Sequence, residues 1–473
     1  MNAEMTLQLE KRRWWILAVI GLINLCAGSI YAWSVLAAAS AAKLSSVLGT
    51  AVTPGDLAIA FGVANAVGPI PMILGGAIND RFGPRTVIVA GGFLMGLGLI
   101  CCGLAESVGT LIAAYGGLFG LGLGLTYGAC ITTAVRYFPD RRGMAGGIVT
   151  AAYGMSSVLV PPIAQALIGS VGITATFIIL GTVCGAAIMA GGFVCRQCPP
   201  DFVPHGMVKK AKAEAKGLTW REMLRSPVFY PMIALLLSGA FAGMMIISQA
   251  ASIARHEIGM TAAAAAVSVS VIALFNMAGR LVAGILSDHL GRITVLAGAL
   301  CLSLAGLFTL MTAGMGDFAQ YYLGCVLVGL SFGAFMAIYP GFTAERFGTA
   351  HSSVNYGIMF CGFAAAGFGG PALMRWMQHT GFVFSDCCMV GAAFCLLGLV
   401  FAAVCRRMVK KGTERSQNPE CILGRLPMKP PLFFSYGIPV NRAFPLRSLL
   451  SAGFSGVFAA EVNWSRRFCF TGA

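Results

Sequence analysis

The chain has 473 residues, of which 58% are hydrophobic and 10% are charged, and its formal net charge is +15 at pH 7. Soluble domains carry about 25% charged residues, so this composition excludes an ordinary water-soluble globule. It predicts an all-α membrane protein, because helices satisfy their own backbone hydrogen bonds inside lipid. No nucleic-acid partner is expected, since the Lys and Arg residues lie at the edges of apolar runs, as topology signals do.

Twelve apolar runs are long enough to cross a hydrocarbon core about 30 Å thick. They form two six-span halves, 14–194 and 228–405, after an N-terminal segment, 1–13. A polar, Lys-rich central loop, 195–227, separates the halves, and we expect a short amphipathic surface helix near Trp220. The first span is too long for a signal-peptide core, so we expect it to be retained. The predicted spans are 14–38, 57–78, 86–105, 109–134, 146–169, 173–194, 228–253, 263–286, 293–314, 318–343, 352–376 and 383–405.

Two loops indicate an internal repeat. The loop between the second and third spans reads GGAINDRFGPR (75–85), and the loop between the eighth and ninth reads AGILSDHLGR (283–292). Asp80 and Asp288 therefore mark the same place in two repeats, 208 residues apart. Parallel repeats of this kind build many secondary transporters.

Arg280, in the eighth span, is the one Lys or Arg near the middle of any predicted span. It precedes Asp288 by eight residues, a depth of about 12 Å at a rise of about 1.5 Å per residue. An arginine at this depth is costly unless it faces a wet cavity or a partner, and no Asp or Glu lies at similar depth in the predicted spans. We therefore expect an anionic substrate as its partner. The repeat places Met72 at the matching depth, so the scaffold does not require a charge there; a bond to the backbone carbonyls of a broken helix is the alternative.

The cysteines and the C-terminal segment give no sign of further chemistry. Most of the sixteen cysteines lie within spans, where they behave as small hydrophobes. Cys195 and Cys198 form a lone CxxC motif without further ligands at suitable spacing for zinc. We expect no metal, no cofactor and no enzymatic activity, because no catalytic constellation is found. Residues 406–473 are predicted to form a cytoplasmic, disordered tail.

Positive residues are distributed unevenly between the two sides of the predicted bundle. With both termini in the cytoplasm, the outer loops hold only Lys43, Arg255 and Arg375 of the positive residues before the tail. The positive-inside rule favours this orientation for an even number of spans. We expect a monomeric, multi-pass protein of the inner or plasma membrane of the cell.

The loop at 75–85 resembles the signature of the major facilitator superfamily of transporters, in the form Gly76-x-x-x-Asp80-Arg81-x-Gly83-x-Arg85. The resemblance covers about residues 14–405 and implies twelve transmembrane helices in two pseudo-symmetric halves. Pro84 stands where the signature has a basic residue, and the second copy has His289 where the first has an arginine. Through helix-dipole and salt-bridge contacts, the resemblance implies gating roles at the inner side for Asp80, Arg81, Arg85, Asp288, Arg292 and Arg141.

Three further segments resemble the oxalate/formate antiporter family within that superfamily. They are GSIYAWSV (28–35), YFPDRRGMA (137–145) and FNMAGR (275–280). The resemblance implies that Arg280 binds a substrate carboxylate. Oxalate carriers of the family place a lysine in the eleventh helix, and Phe363 occupies the position that we align with it. With one cavity cation instead of two, a monocarboxylate fits better than a dianion.

Aromatic and amide side chains complete the predicted substrate site. Tyr127 and Tyr153 offer hydroxyl donors to a carboxylate, whereas Tyr31 and Trp33, two residues apart, cannot face the same way on one helix. Interfacial anchoring and helix packing are the alternative roles of such aromatic residues. The predicted substrate-binding residues are Arg280, Tyr31, Trp33, Tyr127, Tyr153, Asn276, Tyr339 and Phe363.

The sequence thus predicts a secondary active transporter of a small organic anion that works by alternating access. The expected substrate is a monocarboxylate of the formate, lactate or pyruvate type, or an oxalate/formate pair in exchange. Its other partners would be the lipid bilayer and either a proton or a counter-anion. Two functions of other classes stay open: a proton-coupled exporter of drugs or other small solutes, which would need buried acids, and a non-transporting membrane sensor on the same fold.

Overall fold

Long apolar helices make up the fold. A computed structural model describes residues 3–199, 202–205, 207 and 217–417, and every regular element within these residues is helical. Within the same residues, eleven helical segments are long and apolar enough to cross a membrane. They are Glu4–Leu48, Ala58–Phe82, Pro84–Gly103, Val108–Tyr137, Arg142–Val194, Phe229–His256, Val267–Leu290, Arg292–Met311, Phe318–Phe347, Ser352–His379 and Phe384–Lys410.

One of these segments is two spans joined end to end. Arg142–Val194 has 53 residues, about 80 Å at helical rise, far more than one crossing of a core about 30 Å thick. Gly172 interrupts it with a φ of 79° and a ψ of 169°, a conformation that favours glycine. The fifth and sixth spans meet at this residue. The described part of the chain therefore has twelve spans, and the predicted fold class is confirmed.

The two halves repeat the same backbone turn between their second and third spans. Gly83 and Gly291 both have a φ of 86°, and each ends one helix and begins the next. The repeat that the two aspartates indicated in the sequence is thus also present in the backbone. We call the end of the bundle that carries these two turns the inner end, following the predicted orientation.

Two spans of the first half are not uniform α-helices. The first changes to a 3₁₀ turn at Gly28–Ala32, and the fourth to a π-helical segment at Ala113–Phe119. Such local changes of helical pitch redirect the side chains that follow them and are common at functional sites. A Cβ at Gly28 would lie 2.5 Å from the Tyr153 carbonyl oxygen, so the first span can approach the fifth only with glycine there.

The helix ends differ from prediction at both termini. The first span runs Glu4–Leu48 instead of 14–38. The last helix runs Phe384–Gln417, so residues 406–417, predicted as tail, are helical. Its basic end continues the helix because Lys and Arg are good helix formers. The rest of the predicted tail, 418–473, lies outside the described residues.

The predicted surface helix of the central loop is confirmed at Trp220–Arg225. It begins with a capping box, in which the Thr219 hydroxyl accepts from the Glu222 amide and the Glu222 carboxylate accepts from the Thr219 amide. The Leu218 amide donates to the Phe347 carbonyl oxygen at 2.7 Å. The end of the central loop is therefore fixed to the last residue of the tenth span.

The halves pack closely at the inner end, within a unit that spans Met1–Glu414. A Cβ at Gly284 would lie 2.4 Å from the Gly143 carbonyl oxygen, and a Cβ at Gly76 would lie 2.9 Å from the Ser353 carbonyl oxygen. The eighth span thus crosses the fifth, and the second crosses the eleventh, at backbone contact distance. Small residues allow this approach in membrane helices.

Candidate functional site

Arg280 lies buried between the two halves. Its side chain is only 2% exposed, and its guanidinium is bound from two sides. The Nε atom donates to Asn276 Oδ1 at 3.1 Å, one turn earlier in the eighth span, and the Nη1 atom donates to the Thr150 carbonyl oxygen in the fifth span. Gly154 leaves room for the guanidinium, since a Cβ there would lie 3.4 Å from Nη1.

The Arg280 charge has no ionic partner within the described residues. None of the ion pairs formed there includes it, and its Nη2 atom makes no hydrogen bond to the described part of the protein. The bond to the Thr150 carbonyl is the kind of backbone contact that a structural role would use. A carbonyl and an amide oxygen satisfy two of five donors but leave the full positive charge uncompensated.

Three tyrosines from the first half line up beside this charge. The ring centroids of Tyr31 and Tyr153 are 5.3 Å apart, and those of Tyr127 and Tyr153 are 5.1 Å apart. Arg280 interacts electrostatically with the hydroxyls of Tyr127 and Tyr153. The Tyr127 hydroxyl is buried and interacts with the Tyr356 hydroxyl of the eleventh span, without a hydrogen bond of ordinary geometry. The structure thus brings together a cation and a hydroxyl donor, the two groups that a carboxylate needs.

The eleventh span supplies the opposite, aromatic wall. Phe360 lies 6.0 Å from Tyr127 and 4.9 Å from Phe363 between ring centroids. Phe363, half-buried, also packs against Phe332 of the tenth span at 5.8 Å. Phe363, which we align with the lysine of oxalate carriers, is therefore part of an apolar surface. The Phe360 ring lies between Phe363 and Tyr127.

Two predicted substrate residues lie apart from this cluster. Trp33 faces the other way from Tyr31 and packs on Tyr115 at 4.0 Å, in line with the geometric limit on residues two apart. Tyr339 is fully buried, and its hydroxyl donates to the Met232 carbonyl oxygen at 2.8 Å. Both contacts are typical of helix packing.

Asp80 connects the halves at the inner end. Its carboxylate pairs with Arg136 of the fourth span. It also accepts hydrogen bonds from the backbone amides of Ser353 at 3.2 Å and Val354 at 3.3 Å, in the first turn of the eleventh span. The N-terminus of a helix carries partial positive charge and free amides, so a carboxylate there is stabilised. We call these contacts the first lock.

Asp288 makes the equivalent contacts in the second repeat. Its carboxylate accepts from the amides of Gly143 at 2.9 Å and Met144 at 2.8 Å, in the first turn of the fifth span. Arg292 pairs with Asp288 at 2.7 Å and with Glu345 of the tenth span at 3.3 Å. We call these contacts the second lock. Each lock places a carboxylate of one half on a helix N-terminus of the other half.

The remaining predicted gating arginines lie outside both locks. Arg81 lies over the Phe82 ring at 5.1 Å, and Arg85 donates to the Phe193 carbonyl oxygen at 2.7 Å. Arg141 is largely exposed and lies 3.9 Å from Asp140, its neighbour in the chain.

Sequence reasoning missed Tyr356 and Arg136. Tyr356 lies 5.9 Å from Phe360, and its hydroxyl interacts electrostatically with Arg280 and Tyr127. Its spacing from Phe360 and Phe363, four and seven residues, is the spacing of one helix face and could have revealed it. Arg136 lies in the last turn of the fourth span, whose neighbour carries Asp80, and that position was the available clue.

A metal or cofactor site is not evident in the described part of the chain. No group of three or more His, Cys, Asp or Glu residues there could hold a metal ion. Cys195 and Cys198 are both buried free thiols, and Cys198 Sγ donates to the Arg136 carbonyl oxygen at 3.4 Å.

The chain is similar in sequence to membrane transporters of several organisms. The chain is 30% identical to the oxalate:formate antiporter of Oxalobacter formigenes over 362 residues, covering 75% of this chain and 83% of that protein. It is 28% identical to monocarboxylate transporter 11 of Mus musculus over 354 residues, covering 72% of this chain and 76% of that protein.

The fold is likewise that of solved transporters. The proton:xylose symporter XylE superposes with a TM-score of 0.66 at 14% identity, covering 84% of this chain and 96% of the symporter. Residues 13–371 match the family model of the Major Facilitator Superfamily. This match extends from the first span into the eleventh and contains both locks and Arg280. The protein, a multi-pass membrane protein, therefore belongs to the Major Facilitator Superfamily.

Proposed function

We propose that this protein is a secondary active transporter of a small organic anion, with a monocarboxylate such as formate, lactate or pyruvate as the substrate class. The observation that supports the proposal most directly is the Arg280 charge, which has no acidic partner in the described part of the chain and lies beside the Tyr127 hydroxyl. A carboxylate accepts charge-assisted hydrogen bonds from a guanidinium and neutralises it at the same time. The planar fork of arginine, with Nη2 unused, suits a carboxylate better than a point charge would.

The number of charges favours a monoanion. Within the described residues, Arg280 is the one basic side chain of the cluster, and Phe363 and Phe360 form an apolar wall where a second cation would have to lie. A second carboxylate against this wall would lose its hydration without gaining a partner, which is costly in a low-dielectric site. A carboxylate with a short apolar or absent tail would not incur this cost.

The relatives support a small carboxylate as the substrate class, but they do not distinguish between individual carboxylates. One of the two relatives is an oxalate:formate antiporter, and the other is a monocarboxylate transporter. Oxalate/formate exchange is therefore the second candidate for this chain. The aromatic residue at Phe363 favours the monoanion over oxalate.

The two locks support an alternating-access mechanism. We propose that they close the inner end when the substrate site opens outwards, and that both break when the halves rock the other way. Both termini would then lie in the cytoplasm, as the distribution of Lys and Arg favours. Arg136 belongs to the first lock in this proposal, and Glu345 belongs to the second.

Uptake into liposomes that contain the purified protein tests the proposal. Labelled formate, lactate, pyruvate and oxalate are supplied outside, with and without the same anion inside. We expect saturable uptake of at least one monocarboxylate, stronger than that of oxalate. Faster uptake with anion inside would indicate exchange, and dependence on a pH gradient would indicate co-movement of a proton. Uptake of cationic drugs without any carboxylate flux would favour the exporter, and no flux of either kind would favour the sensor.

A further inference from the structure

A basic pocket lies at the inner end of the bundle, at the turn that follows Asp80 of the first lock. The turn at 82–85 and the segment 195–197 form its walls, and its volume is about 240 Å³. The pocket thus joins the turn after the second span to the end of the sixth. The proposed transport cycle gives it no role, because neither Arg280 nor the tyrosines beside it line this pocket.

Three arginines surround this basic pocket without acidic partners. Arg85 and Arg196 line it, and Arg81 lies next to it over the Phe82 ring. None of the ion pairs in the described ranges of the chain includes any of the three. The third span begins here, and no side chain caps its first amides. The guanidinium groups and the helix N-terminus therefore both contribute positive electrostatic potential to this pocket.

The border of the basic pocket is apolar and exposed. Phe82 is 64% exposed and Phe193 is 59% exposed, and they lie at the ends of the second and sixth spans. Exposed phenylalanines at this level of a membrane protein contact lipid chains. The combination of arginines with outward phenylalanines matches an amphipathic ligand, with a phosphate at one end and acyl chains at the other.

The second repeat shows that the turn itself does not require these arginines. Gly291 repeats the backbone of Gly83, but His289 and Ile293 stand at the positions of Arg81 and Arg85. The one arginine of the second turn, Arg292, is already paired with Asp288 and Glu345. One repeat thus forms the turn with its cation neutralised, and the other forms it with two cations, Arg81 and Arg85, outside the ion pairs of the described residues.

We propose that the basic pocket binds the headgroup phosphate of an anionic phospholipid from the adjacent leaflet. Arg85, Arg196 and the first amides of the third span would contact the phosphate, while Phe82 and Phe193 would contact the acyl chains. Polybasic sites at membrane surfaces bind anionic lipids at about 1 kcal/mol per basic residue, or about fivefold in affinity. The proposal requires neither the substrate nor the orientation, so it can fail without affecting the proposed function.

Lipid binding to the full-length protein in neutral detergent provides the test. The unfolding temperature and the number of retained lipids by native mass spectrometry are measured with phosphatidylglycerol, phosphatidylcholine or inorganic phosphate. We expect phosphatidylglycerol alone to raise the unfolding temperature and to remain bound. Arg196→Gln, at an exposed side chain, should weaken its binding about fivefold, and Arg85→Gln with Arg196→Gln should abolish the difference between the two lipids. The matched control is Arg255→Gln, at an exposed arginine distant in the chain, which should retain the full effect.

Three results would overturn the proposal. Equal effects of phosphatidylglycerol and phosphatidylcholine would show that no anionic headgroup is recognised. An unchanged preference in a folded Arg196→Gln protein and in the double variant would place the lipid elsewhere. An equal effect of inorganic phosphate would indicate a site for a free ion instead of a lipid.

Discussion

At the scale of single residues, transport should depend most on the Arg280 guanidinium. Arg280→Ala removes a buried charged donor that the proposed substrate would need, at a cost of about 3 kcal/mol, or about 100-fold in transport efficiency. Arg280→Lys retains the charge but loses the bonds that the planar fork makes to Asn276 and Thr150, so a large loss is expected here as well. The measurement is monocarboxylate uptake by reconstituted protein.

The control for Arg280 is Arg255→Ala, at an exposed arginine that should tolerate truncation. Normal carboxylate uptake by a well-folded Arg280→Ala protein would show that the buried arginine has only a structural role. In that case its bond to the Thr150 carbonyl would be the reason for its presence.

Phe363 should set the preference between monoanions and dianions. Phe363→Lys adds a second cation to the aromatic wall, where it can offset the desolvation of a second carboxylate. We expect oxalate to compete more strongly against a monocarboxylate in this variant than in the unchanged protein, together with some loss of stability from like charges in the empty site. Phe332→Leu, a neighbouring change without charge, is the matched control. An unaltered ratio of the two affinities would place Phe363 outside the substrate path.

At the scale of helices, the two locks should control turnover rather than affinity. Asp80→Asn removes the charge that binds Arg136 and the N-terminus of the eleventh span. We expect a lower maximal rate with nearly unchanged substrate binding, because Asp80 lies at the inner end, about 12 Å or more from mid-depth by helical rise. Asp288→Asn should act in the same way, whereas Asp317→Asn, at an exposed loop aspartate on another turn, should not. Loss of affinity at an unchanged maximal rate would assign Asp80 to the substrate site.

The glycines between the fifth and eighth spans should set how closely the helices approach. Gly284→Ala places a Cβ 2.4 Å from the Gly143 carbonyl oxygen, so the two helices must separate. Overpacking of this kind costs about 1–3 kcal/mol, and we expect a lower unfolding temperature. Gly298→Ala is the matched control, since nothing lies within 4 Å of its new Cβ and alanine is the better helix former. Equal unfolding temperatures of both variants would contradict the close crossing.

At the scale of the whole molecule, the orientation follows from charge. Tags after Met1, within the central loop and after Lys411 should all report the cytoplasm, because the outer loops hold only Lys43, Arg255 and Arg375 before the tail. Protease or reporter accessibility in intact cells is the measurement. A central loop on the outside would contradict the arrangement of six spans before it and six after it.

The class of the protein, the twelve spans and the repeat follow from the sequence alone. Hydropathy over about 20 residues encodes a span, and the paired aspartates Asp80 and Asp288 encode the repeat. The sequence also identified Arg280 as a charge near the middle of a span, because depth along one helix can be counted from a loop. Helix ends were less certain, as residues 406–417 show, since a basic segment continues a helix without any apolar signal.

Which side chains contact one another depends on how the helices pack. Arg280 reaches a carbonyl 130 residues away, and Asp80 reaches an amide 274 residues away. The periodicity of one helix does not indicate which other helix lies beside it. The partners of Arg136 and Tyr356 could therefore not be assigned from the sequence. For the same reason, the sequence could not show that Trp33 and Tyr339 lie apart from the cluster. Each has an aromatic ring suited to a cavity, but each contacts residues of neighbouring helices in a packing interface. Side-chain chemistry limits what a residue can bind, and the packing of the two halves decides what it does bind.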